Sequence, residues 1–132
     1  WNQGLKILFY KDKSAFYERD LRLYLDDILE NIILIKQYIE GVTADQFYTS
    51  KEKQDSIVRR IEIIGEATKQ LPNEFREKHS EIPWKEMAGM RDIIIHQYFG
   101  IDFNKVWETA TRMIPPLKKQ IEEIFKEENK TP

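Results

Sequence analysis

Three features of this sequence predict an all-α fold, arranged as one bundle of four to five helices. The 132 residues suffice for one domain around one hydrophobic core. Apolar residues recur at spacings of three and four over long stretches, which is the period of an amphipathic helix. Five glycines and five prolines are too few for the many tight turns of a sandwich or barrel.

The composition also restricts the class of function. With 21 basic and 23 acidic residues the net charge is −2, so any contact with nucleic acid must be local rather than driven by a global positive field. The chain has no cysteine, which removes disulfides, thiolate metal sites and thiol nucleophiles and favours a cytoplasmic location. The apolar run Leu5–Tyr10 is far shorter than the roughly 20 residues that a membrane span requires.

The chain divides into three predicted segments. Residues 1–13, which open at Trp1, fit neither a signal-peptide core nor a membrane span, and are expected to be a leader outside the fold. Residues 14–126 should form the helical domain. The polar tail, residues 127–132, is expected to fray.

The first half of the domain predicts two long helices. Apolar spacing from Glu18 onward predicts an amphipathic helix of about six turns that Gly41 closes. Thr43 can cap a short turn, and Ser50 can begin a second long helix that Leu71–Pro72 should stop. The buried stripe of this second helix is predicted to be Ile57, Ile61, Ile64 and either Ala67 or Thr68.

The second half predicts a third helix from about Pro83 to Phe99 and a last helix capped by Asp102. Pro115–Pro116 should kink the last helix or divide it in two. The run Ile93–Ile95 is β-branched, which by itself favours a strand. A helix is nevertheless predicted there, because no other segment alternates with period two for long enough to pair with a strand.

The predicted third helix carries a concentration of polar side chains on one face. At about 100° per residue, a face spanning roughly 160° contains, in order, Tyr98, Arg91, Ile95, Asp92 and His96. The opposite, core-facing side is predicted to contain Ile93, Gln97, Met90, Ile94 and Met87.

This polar face suits phosphodiester chemistry without a metal or cofactor. On a continuous helix Asp92 and His96 lie at i and i+4, so the carboxylate can orient the imidazole. Arg91 can fork onto a phosphate, His96 can move a proton, and the hydroxyl of Tyr98 lies beside them. The alternative is an ordinary surface ion pair with Tyr98 at the edge of the core.

The residues Arg91, His96 and Tyr98 form a pattern that resembles the R-x4-H-x-Y signature of the HepT-like branch of the HEPN superfamily. Three more blocks resemble the same family: 60–67, 82–84 and 98–102. The resemblance spans about residues 18 to 125. It implies a HEPN-like bundle that dimerises with two motif helices facing each other across a two-fold axis. It further implies the toxin of a type VII-like toxin–antitoxin module whose antitoxin is a minimal nucleotidyltransferase of the MNT type.

The resemblance also implies roles for individual residues, because HEPN proteins are typically metal-independent endoribonucleases. Arg91 would bind the scissile phosphate, His96 of each protomer would act as base or acid, and Asp92 would orient His96. A homodimer would supply the second histidine that acid–base cleavage requires. Tyr98 would be the hydroxyl to which the antitoxin transfers AMP, and a structured RNA such as tRNA would suit the acidic net charge. The competing hypothesis is a non-catalytic helical dimer that serves as binding partner and modification substrate of the nucleotidyltransferase.

Other polar residues are assigned no chemistry from the sequence. His79 is expected on the solvated surface, without metal-ligating neighbours. Arg59 and Arg60 are expected to form surface salt bridges rather than an RNA-binding surface. Glu62 and Glu66 lack the Glu-x-x-His partners of a di-metal bundle.

Overall fold

A computed structural model describes the backbone of residues 13–96 and 100–130 and the side chains of residues 20–95 and 100–127. The expected leader, apart from residue 13, and the last two residues of the expected tail lie outside the described residues. The same holds for residues 97–99 in the middle of the sequence motif.

The all-α class is confirmed, although the helical path is divided more finely than predicted. The α-helices are α1 Lys13–Ile39, α2 Ala44–Tyr48, α3 Lys51–Lys69, α4 Asn73–Lys78, α5 Trp84–Ala88, α6 Met90–Ile94, α7 Phe103–Glu108 and α8 Ile114–Lys130. A π-helical turn, Thr109–Met113, joins α7 to α8, and two short strands, β1 Ile95–His96 and β2 Gly100–Ile101, follow α6.

The core lies between the three long helices α1, α3 and α8, since α1 packs against both of the others. Every stripe residue predicted for α3 is buried, and the buried apolar residues of α1 and α8 also follow the helical period. Tyr24, Leu29 and Ile39 of α1 are only partly buried. The fully buried isoleucines of these helices are Ile28, Ile32, Ile35, Ile57, Ile61, Ile64, Ile114 and Ile121. Burying each such side chain contributes about 1.5–3 kcal/mol, so these isoleucines contribute substantially to the stability of the bundle.

Four predicted helix boundaries are confirmed, those at Gly41, Thr43, Ser50 and Asp102. Gly41 follows α1 with φ of 71°, a backbone conformation that favours glycine. The Thr43 hydroxyl accepts from the N–H of Gln46 at 3.1 Å, and the Gln46 side chain accepts in return from the N–H of Thr43 at 3.0 Å. The Ser50 and Asp102 side chains cap α3 and α7 in the same way.

A polar contact joins the two long helices α1 and α3. Arg60 Nη1 donates to Oδ1 of the buried Asn31 at 3.0 Å, and Asn31 Nδ2 donates to the carbonyl of Asp27 at 2.7 Å. The surface salt bridge expected of Arg60 is therefore wrong. The expectation is confirmed for Arg59, whose guanidinium lies 3.7 Å from the carboxylate of Glu62.

The proline pair divides the last helix through a widened turn. A proline ring inside an α-helix clashes with the carbonyl four residues earlier and supplies no N–H. Pro115 and Pro116 lie in the first turn of α8, directly after the π-helical turn. The hydroxyl of Thr111 in this turn donates to the carbonyl of Trp107 in α7 at 2.7 Å. A side-chain hydrogen bond therefore adds to the backbone hydrogen bonds that join α7 to the turn.

The expected surface position of His79 is wrong, since its side chain is only 2% exposed. The imidazole packs against the ring of Phe75 with centroids 4.8 Å apart, and the His79 carbonyl accepts from Nε1 of Trp84 at 2.9 Å. His79 Nδ1 lies 3.7 Å from a carboxylate oxygen of Glu127 on α8 and 3.9 Å from one of Glu81. The histidine therefore fastens the α4–α5 connection to the last helix.

The predicted third helix ends at Ile94, short of Phe99. The next two residues form β1, which pairs antiparallel with β2 in the register Ile95 to Ile101 and His96 to Gly100. Asp102 extends the contact through an N–H that donates to the carbonyl of Ile94 at 2.7 Å. The prediction of a helix through Phe99 was wrong because the β-branched run pairs with β2, a strand of only two residues that follows segment 97–99.

Candidate active site

Helix α6, which carries Arg91 and Asp92, is held in place by apolar residues on one side. Met87, Met90 and Ile94 are fully buried, as predicted for the core-facing arc. Gly65 of α3 lies against the carbonyls of Met87 and Ala88, since a Cβ added there would be 3.6 Å from both oxygens. The backbones of α3 and α5 therefore approach closely, which fixes the start of α6 against the bundle.

The opposite side of α6 is exposed. Arg91 and Asp92 both point their side chains toward solvent, as the polar arc predicted. Ile93 was predicted to face the core, but its side chain is 46% exposed. With only five residues, α6 turns just over once, so Met90 and Ile94 share the core and Ile93 is left outside.

His96 does not share a helical face with Asp92. Stacking at i and i+4 requires helical backbone through both positions, whereas Ile95 already has extended dihedral angles, φ −109° and ψ 118°. The backbone of His96 pairs with Gly100 in the hairpin. The side chain of His96 and the whole of Tyr98 lie outside the described residues, so their predicted roles stay predictions.

An open cleft of about 320 Å³ adjoins Arg91. Its walls come from α1 and α3, and its rim from α6. The charged and aromatic residues that line it are Tyr24, Asp27, Arg59, Glu62, Glu66 and Arg91. The structure thus joins the motif arginine to side chains that lie far from it in sequence.

Sequence spacing did not predict this cleft, although it places part of the lining on shared helix faces. Arg59, Glu62 and Glu66 lie at i, i+3 and i+7, which places them in one stripe of α3. Tyr24 and Asp27 are spaced i and i+3 on α1. The contact of these two helices with α6 is a tertiary feature, which spacing within one helix cannot show.

The arrangement suits binding of a phosphate at its rim. An exposed arginine can make two parallel charge-assisted hydrogen bonds to phosphate oxygens, and Arg91 has that exposure in the helix that precedes the hairpin carrying His96. Across the described ranges, no three His, Asp or Glu side chains are gathered closely enough to hold a metal ion. Nor is any helix within those ranges both long and apolar enough to cross a membrane.

Comparison with known proteins gives a consistent family. A protein named "Probable ribonuclease HepT" from Thermococcus cleftensis is 44% identical over 109 residues, which cover 83% of this chain and 99% of the relative. A protein named "Putative RNase" from Caldanaerobacter subterraneus subsp. tengcongensis is 47% identical over 107 residues, covering 81% of this chain and 96% of the relative.

A third relative shows the domain in a larger protein. A Methanocaldococcus jannaschii protein named "Gamma-glutamylcyclotransferase and putative RNase" is 54% identical over 112 residues, which cover 85% of this chain but only 50% of that relative. The chain therefore spans about half the length of this relative. No solved structure matches the chain significantly.

The sequence profile of the family described as "Ribonuclease HepT-like" matches residues 28–124. This range includes α3, the cleft residues of α3, and the whole segment from Arg91 to Tyr98. The match covers most of the domain, so the chain belongs to the HepT-like ribonuclease family.

Proposed function

We propose that this protein is the toxin of a HEPN/MNT toxin–antitoxin module and acts as a metal-independent endoribonuclease. The observation that carries the proposal is the exposed Arg91, which lines a cleft and lies in the short helix that leads into the strand containing His96, in a chain of the HepT-like family. The names of relatives that match nearly their full length support RNA as the substrate.

The active site is composite and forms in a homodimer. One His96 removes the proton from a ribose 2′-hydroxyl, and the 2′-oxygen attacks the adjacent phosphorus. His96 of the second protomer gives a proton to the departing 5′-oxygen, which leaves a 2′,3′-cyclic phosphate on one product and a 5′-hydroxyl on the other. Arg91 binds the phosphate and offsets the charge that develops on it. Because each chain has one motif histidine, two protomers are needed for an acid and a base.

Asp92 is the positioning carboxylate in this proposal. It lies in the last helical turn before the hairpin, beside Arg91. Since α6 ends before His96, the carboxylate must act across the helix–strand junction rather than along one helical face. Its contribution is therefore to orient the imidazole, and the proton transfers belong to His96.

Inhibition occurs by modification of Tyr98. A cognate MNT-type nucleotidyltransferase transfers AMP from ATP to the tyrosine hydroxyl, with release of pyrophosphate. The added phosphate places negative charge two residues from His96, where it repels the RNA backbone and blocks access. A cytoplasmic location supplies both the ATP and the RNA. With a net charge of −2, recognition depends on local contacts to a structured target such as tRNA rather than on general attraction to RNA.

The direct test is RNA cleavage in the presence of EDTA, comparing the wild type with His96→Ala. We expect 2′,3′-cyclic phosphate ends from the wild type and a loss of rate of about a hundredfold or more in the variant. Arg91→Ala should also lose most of its rate, while the control Arg112→Ala, an exposed arginine outside the cleft, should retain it. Size-exclusion chromatography and circular dichroism must show that each variant remains a folded dimer. A folded His96→Ala dimer with unchanged cleavage would refute the catalytic role.

The alternative is a non-catalytic helical dimer whose role is to bind and be modified by the nucleotidyltransferase. The side chain of Ile93, 46% exposed beside Asp92, is available for such a contact. A verified folded dimer without any cleavage would support this alternative. Mass spectrometry after incubation with the nucleotidyltransferase and ATP then tests Tyr98, and an adduct on a different residue would exclude its assigned modification.

A further inference from the structure

We propose that the cleft beside Arg91 is a nucleobase subsite that prefers guanine. The inference rests on the proposed function in one respect, namely that an RNA phosphate is bound by Arg91. It adds a specificity-determining site to that function and places it on α1 and α3, outside the sequence motif.

The position and size of the cleft fit a base attached to a bound phosphate. Arg91 lines the cleft, whose volume is about 320 Å³ and whose other lining residues come mainly from α1 and α3. A nucleotide with its phosphate on Arg91 can therefore extend its base between α1 and α3. The cleft is open to solvent on one side, so the chain can continue past it.

The charges in the cleft select which part of a nucleotide can enter. Three carboxylates, those of Asp27, Glu62 and Glu66, line the cleft beside two guanidinium groups, those of Arg59 and Arg91. Because Arg59 already pairs with Glu62, the remaining carboxylates would repel a second phosphate. Within the described residues these groups are not arranged to hold a metal ion. An uncharged group rich in hydrogen-bond donors suits this lining, and the Watson–Crick edge of a base is such a group.

Among the four RNA bases, guanine matches a carboxylate best. Its N1–H and N2–H point in the same direction and can donate together to the two oxygens of one carboxylate, while uracil offers one imide N–H and adenine and cytosine each offer one amino group. Glu62 and Glu66 already form ion pairs with Arg59 and Lys69. Asp27 forms no ion pair with another residue of the described ranges, so its carboxylate is assigned as the principal acceptor.

Tyr24 completes the subsite. It lies almost one turn before Asp27 on α1, is half-buried, and lines the same cleft. An aromatic ring beside a hydrogen-bonding carboxylate provides a surface on which the base can stack. We assign Tyr24 to stacking and Asp27 to recognition.

The test measures binding of the four nucleoside 3′-monophosphates by isothermal titration calorimetry. Wild type should bind 3′-GMP about tenfold or more tightly than 3′-UMP, and Asp27→Asn should lose most of this preference, because the amide no longer offers two anionic oxygens. The matched control is Asp26→Asn, which changes the neighbouring exposed carboxylate on α1 outside the cleft and should leave the preference intact. Equal binding of all four nucleotides, undetectable binding of any, or equal effects of the two substitutions would each overturn the inference.

Mapping of cleavage sites separates this inference from the proposed function. Cleavage next to guanines by the wild type, with relaxed sequence preference in Asp27→Asn, supports both. Cleavage by the wild type without any base preference overturns the guanine subsite and leaves the ribonuclease proposal standing. A preference for 3′-GMP in a dimer that cuts no RNA supports the base site and contradicts the ribonuclease.

Discussion

The framework of α1, α3 and α8 differs sharply from the motif segment, which comprises α5, α6, β1 and β2. In the framework, fully buried isoleucines follow the helical period and every helix is long. In the motif segment the elements contain two to five residues and three side chains, Met87, Met90 and Ile94, are fully buried. The residues assigned to chemistry therefore lie where regular local structure breaks, while stability resides where local preferences agree.

The largest expected effect tests where stability resides. Ile61→Ala removes a fully buried side chain of α3 and should reduce the free energy of unfolding by about 2–5 kcal/mol. Ile93→Ala makes the same chemical change on the exposed side of α6 and should change it by less than about 0.5 kcal/mol. Urea denaturation of both variants measures the contrast, and equal losses would show that the motif segment is as much a part of the core as α3.

A smaller effect concerns the polar contact within the framework. Arg60→Ala leaves the buried Asn31 Oδ1 without its partner and should cost about 1–3 kcal/mol of stability. Arg59→Ala, the adjacent residue with an exposed ion pair, should cost less than about 1 kcal/mol. The same denaturation measurement compares them. A larger loss of stability for Arg59→Ala than for Arg60→Ala would mean that the ion pair between Arg59 and Glu62 stabilises the fold more than the hydrogen bond between Arg60 and Asn31.

Two glycines separate the cost of backbone strain from an effect on function. Gly41 and Gly100 have similar positive φ values, 71° and 79°, and a Cβ at either position would meet no atom within 4 Å. Alanine at each should therefore cost a similar amount, about 1–2 kcal/mol. Cleavage should fall in Gly100→Ala alone, because Gly100 pairs with His96.

Thermal unfolding and the EDTA cleavage assay give the two measurements for this glycine pair. Unchanged cleavage in a folded Gly100→Ala protein would show that the hairpin does not determine the position of the histidine. A comparable loss of cleavage in Gly41→Ala would point to global stability instead.

The framework could be predicted from the sequence because its information is local. The stripe of Ile57, Ile61 and Ile64 and the cap at Ser50 each depend on residues within one or two turns, as does the cap at Thr43 before the short helix α2. Helical period and capping chemistry were sufficient for these elements.

Three features could not be predicted from local sequence: the burial of His79, the end of α6 and the cleft beside Arg91. They depend on contacts between residues distant in sequence or on pairing with an unusually short strand. The burial of His79 requires Trp84 and the approach of Glu127 on α8, and nothing in its charged neighbourhood indicates that. The end of α6 at Ile94 follows from pairing with a strand of two residues, below the length at which alternation can be detected. Of the candidate site, the exposure of Arg91 and Asp92 was predicted, whereas the cleft that joins Arg91 to α1 and α3 was not.

The π-helical turn before Pro115 and Pro116 restricts how this chain can evolve. A π turn holds one residue more than the α-helical turn it replaces, so deleting one residue from Thr109–Met113 would restore a regular helix and keep α7 and α8 in register. The deletion would also make the rings of Pro115 and Pro116 clash with the backbone carbonyls four residues before them. The extra residue of the π turn and the two prolines therefore depend on one another. A change that removes only one of these features is disfavoured, whereas removing both yields an uninterrupted helix. Insertions and deletions in relatives should accordingly vary together with proline content at this position.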